Sequence, residues 1–228
     1  MKNIGSILLT DSQYELLLKD LKLIIKANKR VNLTRIDSFD QGILLHLEDS
    51  LIALPEVTKA PDGLYADLGT GGGFPGIPLA IMTGRETLLV DSVQKKVQCL
   101  KEVVVSLGIS EYVSTYAGRI EDLTNTHRNA FSLITARALS SLPSLLELVS
   151  PLLQNKGEFI AYKSHLTEQE EQALLQTEEV FGLKLISRRE LYLSDNQTFR
   201  TILVFKKFKE AKIKLPRRVG LAQKKPLI

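Results

Sequence analysis

A carboxylate and five glycines stand between a short apolar run and a helical pattern. Residues 64–80 read LYADLGTGGGFPGIPLA, and the glycines fall within eight positions. Glycine adopts positive φ without strain and lets a ligand approach the backbone closely. The spacing is typical of a strand, a tight turn and a helix N-terminus that hold a nucleotide-like cofactor. A second carboxylate, Asp91, follows Gly71 by twenty residues and suits the hydroxyl groups of a ribose.

Two cofactor classes fit this turn. Its residues GGGFPG satisfy the pattern G-x-G-x-x-G, so a dinucleotide is one interpretation. Asp67 would repel a pyrophosphate but would attract the cationic ammonium and sulfonium groups of S-adenosylmethionine. Pro75 and Pro78 stiffen the start of the helix rather than leave its N–H groups free for phosphate. These features favour S-adenosylmethionine as the cofactor. The alternative is that the chain is a NAD-dependent oxidoreductase. Asp67 and Asp91 could also have a purely structural role as helix caps.

Alternating strand and helix patterns predict an α/β fold, a Rossmann-like class I methyltransferase with a seven-stranded, mostly parallel sheet. Only four residues separate the last two strand patterns, so these should form a terminal antiparallel hairpin. The predicted strands are 64–68, 87–91, 112–117, 131–136, 157–162, 183–193 and 198–205, and the predicted helices between them are 77–82, 93–107, 142–153 and 167–181.

The chain divides into three predicted regions: a helical N-terminal extension at 1–58, an S-adenosylmethionine-binding Rossmann-like domain at 59–205, and a basic tail at 206–228. In the extension, a capping-box pattern at Thr10 precedes helical spacing, and a second helical pattern ends at Pro55. The tail holds nine Lys and Arg against one Glu, within a chain whose net charge is +4. Such a tail suggests a nucleic-acid partner, or else a segment that keeps the protein soluble.

Composition narrows the class of protein further. No apolar run reaches the roughly 18 residues of a membrane span, and no signal-peptide pattern opens the chain. Cys99 is the one cysteine, so an internal disulfide is excluded. The three histidines are too scattered to predict a metal site. We therefore expect a cytoplasmic protein without membrane contact; the sequence carries no signal of oligomeric state, and a monomer is the expectation.

The fourth strand ends in a segment where this fold places methyl-acceptor chemistry. It reads Thr-Ala-Arg-Ala at 135–138, without the Asn/Asp-Pro-Pro-aromatic run often found in enzymes that methylate exocyclic amines. Carbon-5 methylation of pyrimidines needs a nucleophilic cysteine, and Cys99 lies in a predicted helix among apolar residues. Because the chain shows neither this run nor a nucleophilic cysteine, an acceptor that needs no base fits best. N7 of guanine is such an acceptor, since it has a lone pair and no proton to lose. Position and in-line geometry would then carry the catalysis.

Motifs along nearly the whole chain resemble those of one family, the bacterial small-subunit ribosomal RNA guanine-N7 methyltransferases, also known as glucose-inhibited division protein B. They are VNLT at 31–34, His46 with DSL at 49–51, the stretch 67–81 with its GFPGIP core, DS at 91–92 with KK at 95–96, RIE at 119–121, RA at 137–138, Lys163, Arg200, and PR at 216–217 with Gly220 and KPL at 225–227.

The resemblance implies that S-adenosylmethionine donates a methyl group to a guanine in a loop of 16S ribosomal RNA near the decoding centre. The partner is then 16S ribosomal RNA or the small ribosomal subunit; a non-catalytic ribosome-assembly protein that binds RNA is a further alternative. From the turn and the resemblance together, the cofactor-binding candidates are Asp67, Gly69, Gly71, Phe74, Asp91, Ile120, Glu121 and Arg137. No residue is assigned as catalytic, and the positioning candidates are Arg137, Lys163 and Arg200.

Basic residues at both ends of the chain are candidates for RNA contact. The chain departs from the family pattern at Ala27, Ser164 and Leu215, outside the cofactor turn, so these departures bear on RNA contact more than on the chemistry. The RNA-binding candidates are Lys29, Arg30, Asn32 and Arg35 near the N-terminus and Arg217, Arg218, Lys224 and Lys225 in the tail.

Overall fold

A seven-stranded sheet is the centre of the fold in the computed structural model, which describes all 228 residues. The strands are β1 (Lys2–Ile4), β2 (Ile7–Leu9), β3 (Tyr65–Leu68), β4 (Thr87–Asp91), β5 (Val113–Ala117), β6 (Phe131–Arg137), β7 (Leu153–Lys163), β8 (Leu183–Tyr192) and β9 (Phe199–Lys207). The large sheet has the order β5-β4-β3-β6-β7-β9-β8. Its pairings are parallel except those of β9, which is antiparallel to β7 and β8. The predicted fold class is confirmed, including the terminal hairpin.

Helices cover both faces of this sheet, and none of them has the length and apolar character to cross a membrane. They are α1 (Asp11–Asn28), α2 (Phe39–Gly42), a π-helix (Ile43–Glu48), α3 (Asp49–Leu51), α4 (Leu54–Lys59), α5 (Gly76–Thr83), α6 (Gln94–Leu107), α7 (Ile120–His127), α8 (Leu142–Val149), α9 (Glu168–Leu174), α10 (Thr177–Phe181) and α11 (Leu221–Lys224).

Two hydrophobic cores lie on opposite faces of the sheet, because successive strand side chains point to opposite sides. Strand β9 shows this clearly: Ile202 and Val204 join the core beneath α1, α5 and α6, whereas Leu203 and Phe205 join the core beneath α8. The N-terminal helices share the first core with the sheet, and the C-terminal segment shares the second. Both ends of the chain are thus packed onto the central domain.

The N-terminal extension is not helical throughout, so the prediction for residues 1–10 is wrong. Strands β1 and β2 pair in an antiparallel hairpin with Gly5 at φ +56° in its turn. Ile4 and Leu9 are each only 2% exposed. These short apolar segments are therefore buried through one face of a strand, where side chains alternate, and not through one face of a helix. Helix α1 does begin with the predicted capping box, in which Thr10 accepts from the backbone N–H of Gln13.

The structure of the segment with the second helical pattern also differs from the prediction. It forms the π-helix and α3, and Pro55 lies in the first turn of α4 instead of ending a helix. Proline is tolerated there because the first N–H groups of a helix have no intrahelical partner. The helix predicted at 142–153 ends at Val149, and the one predicted at 167–181 is divided into α9 and α10.

Part of the basic tail is built into the fold. Lys207 is only 1% exposed, and its ammonium group donates to Asn129 Oδ1 and to the carbonyl oxygens of Ser150 and Leu153 at 2.8–3.1 Å. Four of the nine tail cations make ion pairs: Lys206, Lys207, Lys212 and Arg217. Part of the tail's positive charge therefore stabilises the protein and is not available to a partner.

The ion pair between Arg217 and Glu147 gives a test of this structural role. Glu147 is 1% exposed, and both of its oxygens accept from the Arg217 guanidinium at 2.6 Å. Arg217→Ala leaves a buried carboxylate without its cation, so we expect a loss of about 3 kcal/mol in the free energy of unfolding. Arg218→Ala, an exposed neighbour without an ion pair, should change it by less than about 0.5 kcal/mol. Urea denaturation measures both; equal losses would contradict a structural role for Arg217.

Candidate functional site

The Gly-rich turn joins β3 to α5 at the carboxyl edge of the parallel strands. Gly69, Gly71 and Gly73 adopt φ of +69°, +56° and +91°, the left-handed region that favours glycine. A Cβ on Gly69 would lie 2.5 Å from Leu139 Cδ1, so the turn also needs glycine for close packing against the segment after β6. The sequence prediction of a strand, a tight turn and a helix N-terminus is confirmed.

Asp67 lies beneath this turn, fully buried. Its Oδ2 accepts from the Gly76 backbone N–H at 3.0 Å, and its Oδ1 accepts from the Thr135 hydroxyl at 2.7 Å. Burial raises the pKa of Asp67 to about 6, while these hydrogen bonds oppose the shift. The structure gives Asp67 the helix-capping role and no surface for a ligand, in place of the direct contact with cofactor cations expected from the sequence.

A small cavity of about 180 Å³ opens beside the turn. We call it the small cavity, and its residues come from the carboxyl ends of four neighbouring strands, β3 to β6, and the segments that follow them, with one residue each from α8 and the tail. It is lined by Gly69, Val90, Asp91, Ser92, Gly118, Arg119, Ile120, Glu121, Ala138, Leu139, Leu148 and Gln223. Four of the cofactor-binding candidates, Gly69, Asp91, Ile120 and Glu121, are thus brought together although they are far apart in the sequence.

Two carboxylates of this cavity have defined partners. Asp91 accepts from the Gly71 N–H at 3.1 Å through Oδ2 and from the Val93 N–H at 2.8 Å through Oδ1. Each oxygen keeps a lone pair, so the half-buried Asp91 can still accept the protons of two hydroxyl groups. Glu121 is 9% exposed and accepts from the Gly220 N–H at 2.7 Å. Its carboxylate therefore binds the tail as well as lining the cavity.

A second, larger cavity of about 650 Å³ shares Ala138 with the small cavity. We call it the large cavity; Ala138, at φ +52°, lines both cavities. All three positioning candidates line it, and four of its side chains are cations. Its lining residues are Thr34, Arg35, Ile36, Leu45, His46, Asp49, Arg137, Ala138, Tyr162, Lys163, Ser164 and Arg200.

Asp49 organises the cations of the large cavity. Arg137 Nη1 lies 2.8 Å from Asp49 Oδ2, and Arg200 Nε lies 2.7 Å from Asp49 Oδ1. Arg137 also donates to the Leu45 carbonyl at 3.0 Å, so it is held in the large cavity and does not line the small one. Lys163 is paired with Glu170 at 2.6 Å. The sequence analysis named Asp49 only as part of the DSL motif at 49–51 and gave it no role in the site.

His46 connects the large cavity to the Gly-rich turn. Its ring stacks on Phe74, with centroids 4.2 Å apart and planes 2° apart. Its Nε2 lies 3.0 Å from the hydroxyl of Thr34, which itself accepts from the Ile36 N–H. Burial, followed by the positive charge of Arg137, lowers the pKa of His46 to about 4. A neutral imidazole thus fixes Phe74, which is 4% exposed and supports the turn from outside the small cavity.

The N-terminal RNA-binding candidates lie on the loop after α1. Asn28 shapes this loop: its side chain accepts from the N–H groups of Leu33 and Thr34 and donates to the Thr34 carbonyl. Lys29, Arg30, Asn32 and Arg35 are exposed, and only Arg35 reaches the large cavity. Arg30 makes an exposed ion pair of 3.5 Å with Glu102, which contributes little to stability.

The tail candidates separate into two groups. Arg218, Lys224 and Lys225 are exposed and make no ion pair, so their charges face solvent. Arg217 is held by Glu147 and by the Lys225 carbonyl, so its guanidinium is occupied within the protein. The structure therefore removes Arg217 from the set of free cations in the tail. Gln223, which sequence reasoning missed, lines the small cavity.

This sheet order, the Gly-rich turn after β3 and the carboxylate at the end of β4 define the class I S-adenosylmethionine-dependent methyltransferase fold. The crystal structure of the [4+2]-cyclase SpnF is similar, with a TM-score of 0.57 and 16% identity, over 90% of this chain and 98% of that one. At that identity the likeness concerns the fold alone.

The comparisons then identify the family. The family model described as rRNA small subunit methyltransferase G matches residues 13–196. A relative named ribosomal RNA small subunit methyltransferase G from Lactobacillus acidophilus is 36% identical over 226 residues, covering 96% of this chain and 93% of the relative. One of the same name from Deinococcus radiodurans is 35% identical over 210 residues, covering 91% and 83%. The chain belongs to the rRNA small subunit methyltransferase G family and uses S-adenosylmethionine; neither the NAD-dependent oxidoreductase nor the non-catalytic assembly protein is favoured.

The lowered pKa of His46 predicts a pH dependence of stability. The unfolded chain protonates this histidine near pH 6.5 and the folded protein only near pH 4, so stability falls as the pH falls between these values. His46→Gln cannot titrate, and from pH 7 to pH 4.5 it should lose about 2 kcal/mol less than the wild type. Urea denaturation at several pH values gives the comparison. The titration of Asp67 is common to both proteins and cancels; parallel pH profiles would contradict a buried, neutral His46.

Proposed function

We propose that this protein transfers a methyl group from S-adenosylmethionine to N7 of a guanine in a loop of 16S ribosomal RNA near the decoding centre. The observation that carries the proposal is a pair of cavities that share Ala138 in their linings. The small cavity offers Asp91 for the ribose of the cofactor. The large cavity offers cations that suit a nucleotide, and a methyl group passing Ala138 would reach it directly.

The partners of the polar groups in the large cavity support an acceptor that needs no base. Asp49 is bound by two arginines, Lys163 is paired with Glu170, and Tyr162 donates its hydroxyl proton to the Ser50 carbonyl at 2.7 Å. His46, with a pKa of about 4, is a weak base at neutral pH. The N7 atom of guanine has an in-plane lone pair and can attack the sulfonium methyl group without losing a proton. Catalysis would then depend on position and in-line geometry.

The groove geometry of a regular RNA helix makes this atom hard to reach. A-form RNA has a deep, narrow major groove, so the target guanine must lie in a loop or leave the stack. An arginine bound to both N7 and O6 would block the attacking atom. Arg137 and Arg200 already bind Asp49, which leaves them as positioning residues beside the base rather than as readers of that edge.

In this proposal, residues 59–205 bind the cofactor, and the extension at 1–58 and the tail at 206–228 contact RNA. The free cations Lys29, Arg35, Arg218, Lys224 and Lys225 are the candidates for phosphate contact, in isolated 16S ribosomal RNA or in the small subunit. Ribosomal RNA as the substrate places the proposed activity in the cytoplasm of a bacterial cell.

Methylation with labelled S-adenosylmethionine tests the reaction. With 16S ribosomal RNA or small subunits that lack the modification, we expect label at one guanine, and strand scission there after borohydride and aniline treatment, which detects N7 methylation. Label on an exocyclic amine or on carbon would overturn the N7 assignment.

Arg200→Ala should lower the rate by about a hundredfold, because a misplaced acceptor loses in-line geometry. Arg188→Ala, on the outer strand β8 with surface partners Glu171 and Glu190, is the matched control and should keep the wild-type rate.

Salt dependence tests the role of the tail. Replacing Arg218, Lys224 and Lys225 by alanine should weaken RNA binding and reduce the slope of log K against log salt by about 2, because each lost phosphate contact contributes about 0.7–0.9. Lys59, Lys156 and Lys184 are exposed lysines elsewhere, and their triple alanine variant is the control. Fluorescence anisotropy with a labelled RNA loop gives both slopes. A slope equal to that of the control would leave the tail without a part in RNA binding.

A further inference from the structure

The C-terminal segment 216–225, which we call the strap, forms part of the wall of the small cavity. The Gly220 N–H donates to Glu121 at 2.7 Å, and the Ser144 hydroxyl donates to the Ala222 carbonyl at 2.9 Å. Arg217 binds Glu147 on one side and the Lys225 carbonyl on the other. These contacts join the strap to α7 and α8, so its position relative to the cavity is fixed.

The short helix α11 turns two neighbouring side chains in different directions. Ala222 is 3% exposed and belongs to the core beneath α8. Gln223 follows it and lines the small cavity together with Gly118, Ile120 and Glu121. Its amide makes no hydrogen bond within the protein. A fixed backbone therefore presents an unused donor and acceptor to the cavity.

The chemistry of this amide matches one part of S-adenosylmethionine. Asp91, which suits the ribose hydroxyls, comes from β4, whereas Gly118 to Glu121 follow β5, next along the sheet. A ribose on Asp91 would thus direct the adenine toward Ile120, Glu121 and Gln223. The base offers an N6 amino donor beside the N7 acceptor, and glutamine can bind both at once.

We propose that Gln223 contacts the adenine of the cofactor and hydrogen-bonds its N6 and N7 edge, so that the strap determines cofactor specificity. The inference rests on the proposed assignment of the small cavity to the adenosine part of the cofactor. It gives the C-terminal segment a second function in addition to RNA contact, at a residue that carries no charge.

Calorimetric titration with two ligands tests the contact. S-Adenosylhomocysteine carries the N6 amino group, and S-inosylhomocysteine carries a carbonyl oxygen in its place. Gln223→Ala should weaken binding of S-adenosylhomocysteine about tenfold and that of S-inosylhomocysteine by a clearly smaller factor, because the latter keeps only the N7 part of the contact. Gln197→Ala, an exposed glutamine in the turn between β8 and β9, should change neither. Because Gln223 is exposed, the Gln223→Ala variant should unfold at the same urea concentration as the wild type. Its loss of affinity is then not a loss of stability.

Each outcome decides one point. An equal loss for both ligands means that the strap merely covers the cavity, and no loss means that Gln223 does not touch the cofactor; either result overturns the inference. Asp91→Ala separates this failure from that of the cavity assignment. It should weaken both ligands, and wild-type affinity in that variant would show that the small cavity does not hold the adenosine.

Discussion

A buried carboxylate that carries no ion pair fixes the geometry on which the site depends. Asp67 accepts from the first residue of α5 and from Thr135 on β6. Since the Thr135 proton goes to Asp67, the Tyr65 hydroxyl, 2.7 Å from Thr135, donates to that threonine in turn. A displaced strand or helix would leave a buried carboxylate without donors, which costs more than an ordinary hydrogen bond. The turn is therefore held from below and keeps its upper surface for a ligand.

From this fixed turn, the parallel sheet places two cavities side by side. The carboxyl ends of parallel strands meet at one edge, so Gly69, Asp91 and Ile120 come together without being close in sequence. Ala138 separates them from a larger cavity in which Asp49 holds two arginines. The small cavity suits a cofactor with ribose hydroxyls, the large cavity suits an anionic substrate, and Ala138 lines both.

Most of the fold was predictable because it is encoded over short distances. Alternating and helical spacing located all seven strands of the large sheet, and the capping box located the start of α1. Three of the failures share one cause: the hairpin at β1 and β2, the first-turn position of Pro55 and the break between α9 and α10 depend on what those segments pack against. A local pattern of apolar residues is compatible with more than one such packing.

Some features of the site follow from the sequence alone, and others depend on the tertiary structure. By itself the sequence determined the Gly-rich turn, the carboxylate at the end of β4 and the family, because these need particular residue types at fixed local spacing. Only the tertiary structure decided that Asp67 is a buried cap while Asp91 faces the cavity, and that Arg217 is held by Glu147 while Arg218 is free. The residues in each pair are chemically alike. Their roles differ because packing brings a partner from a distant part of the chain to one of them and leaves the other exposed to a ligand or to solvent.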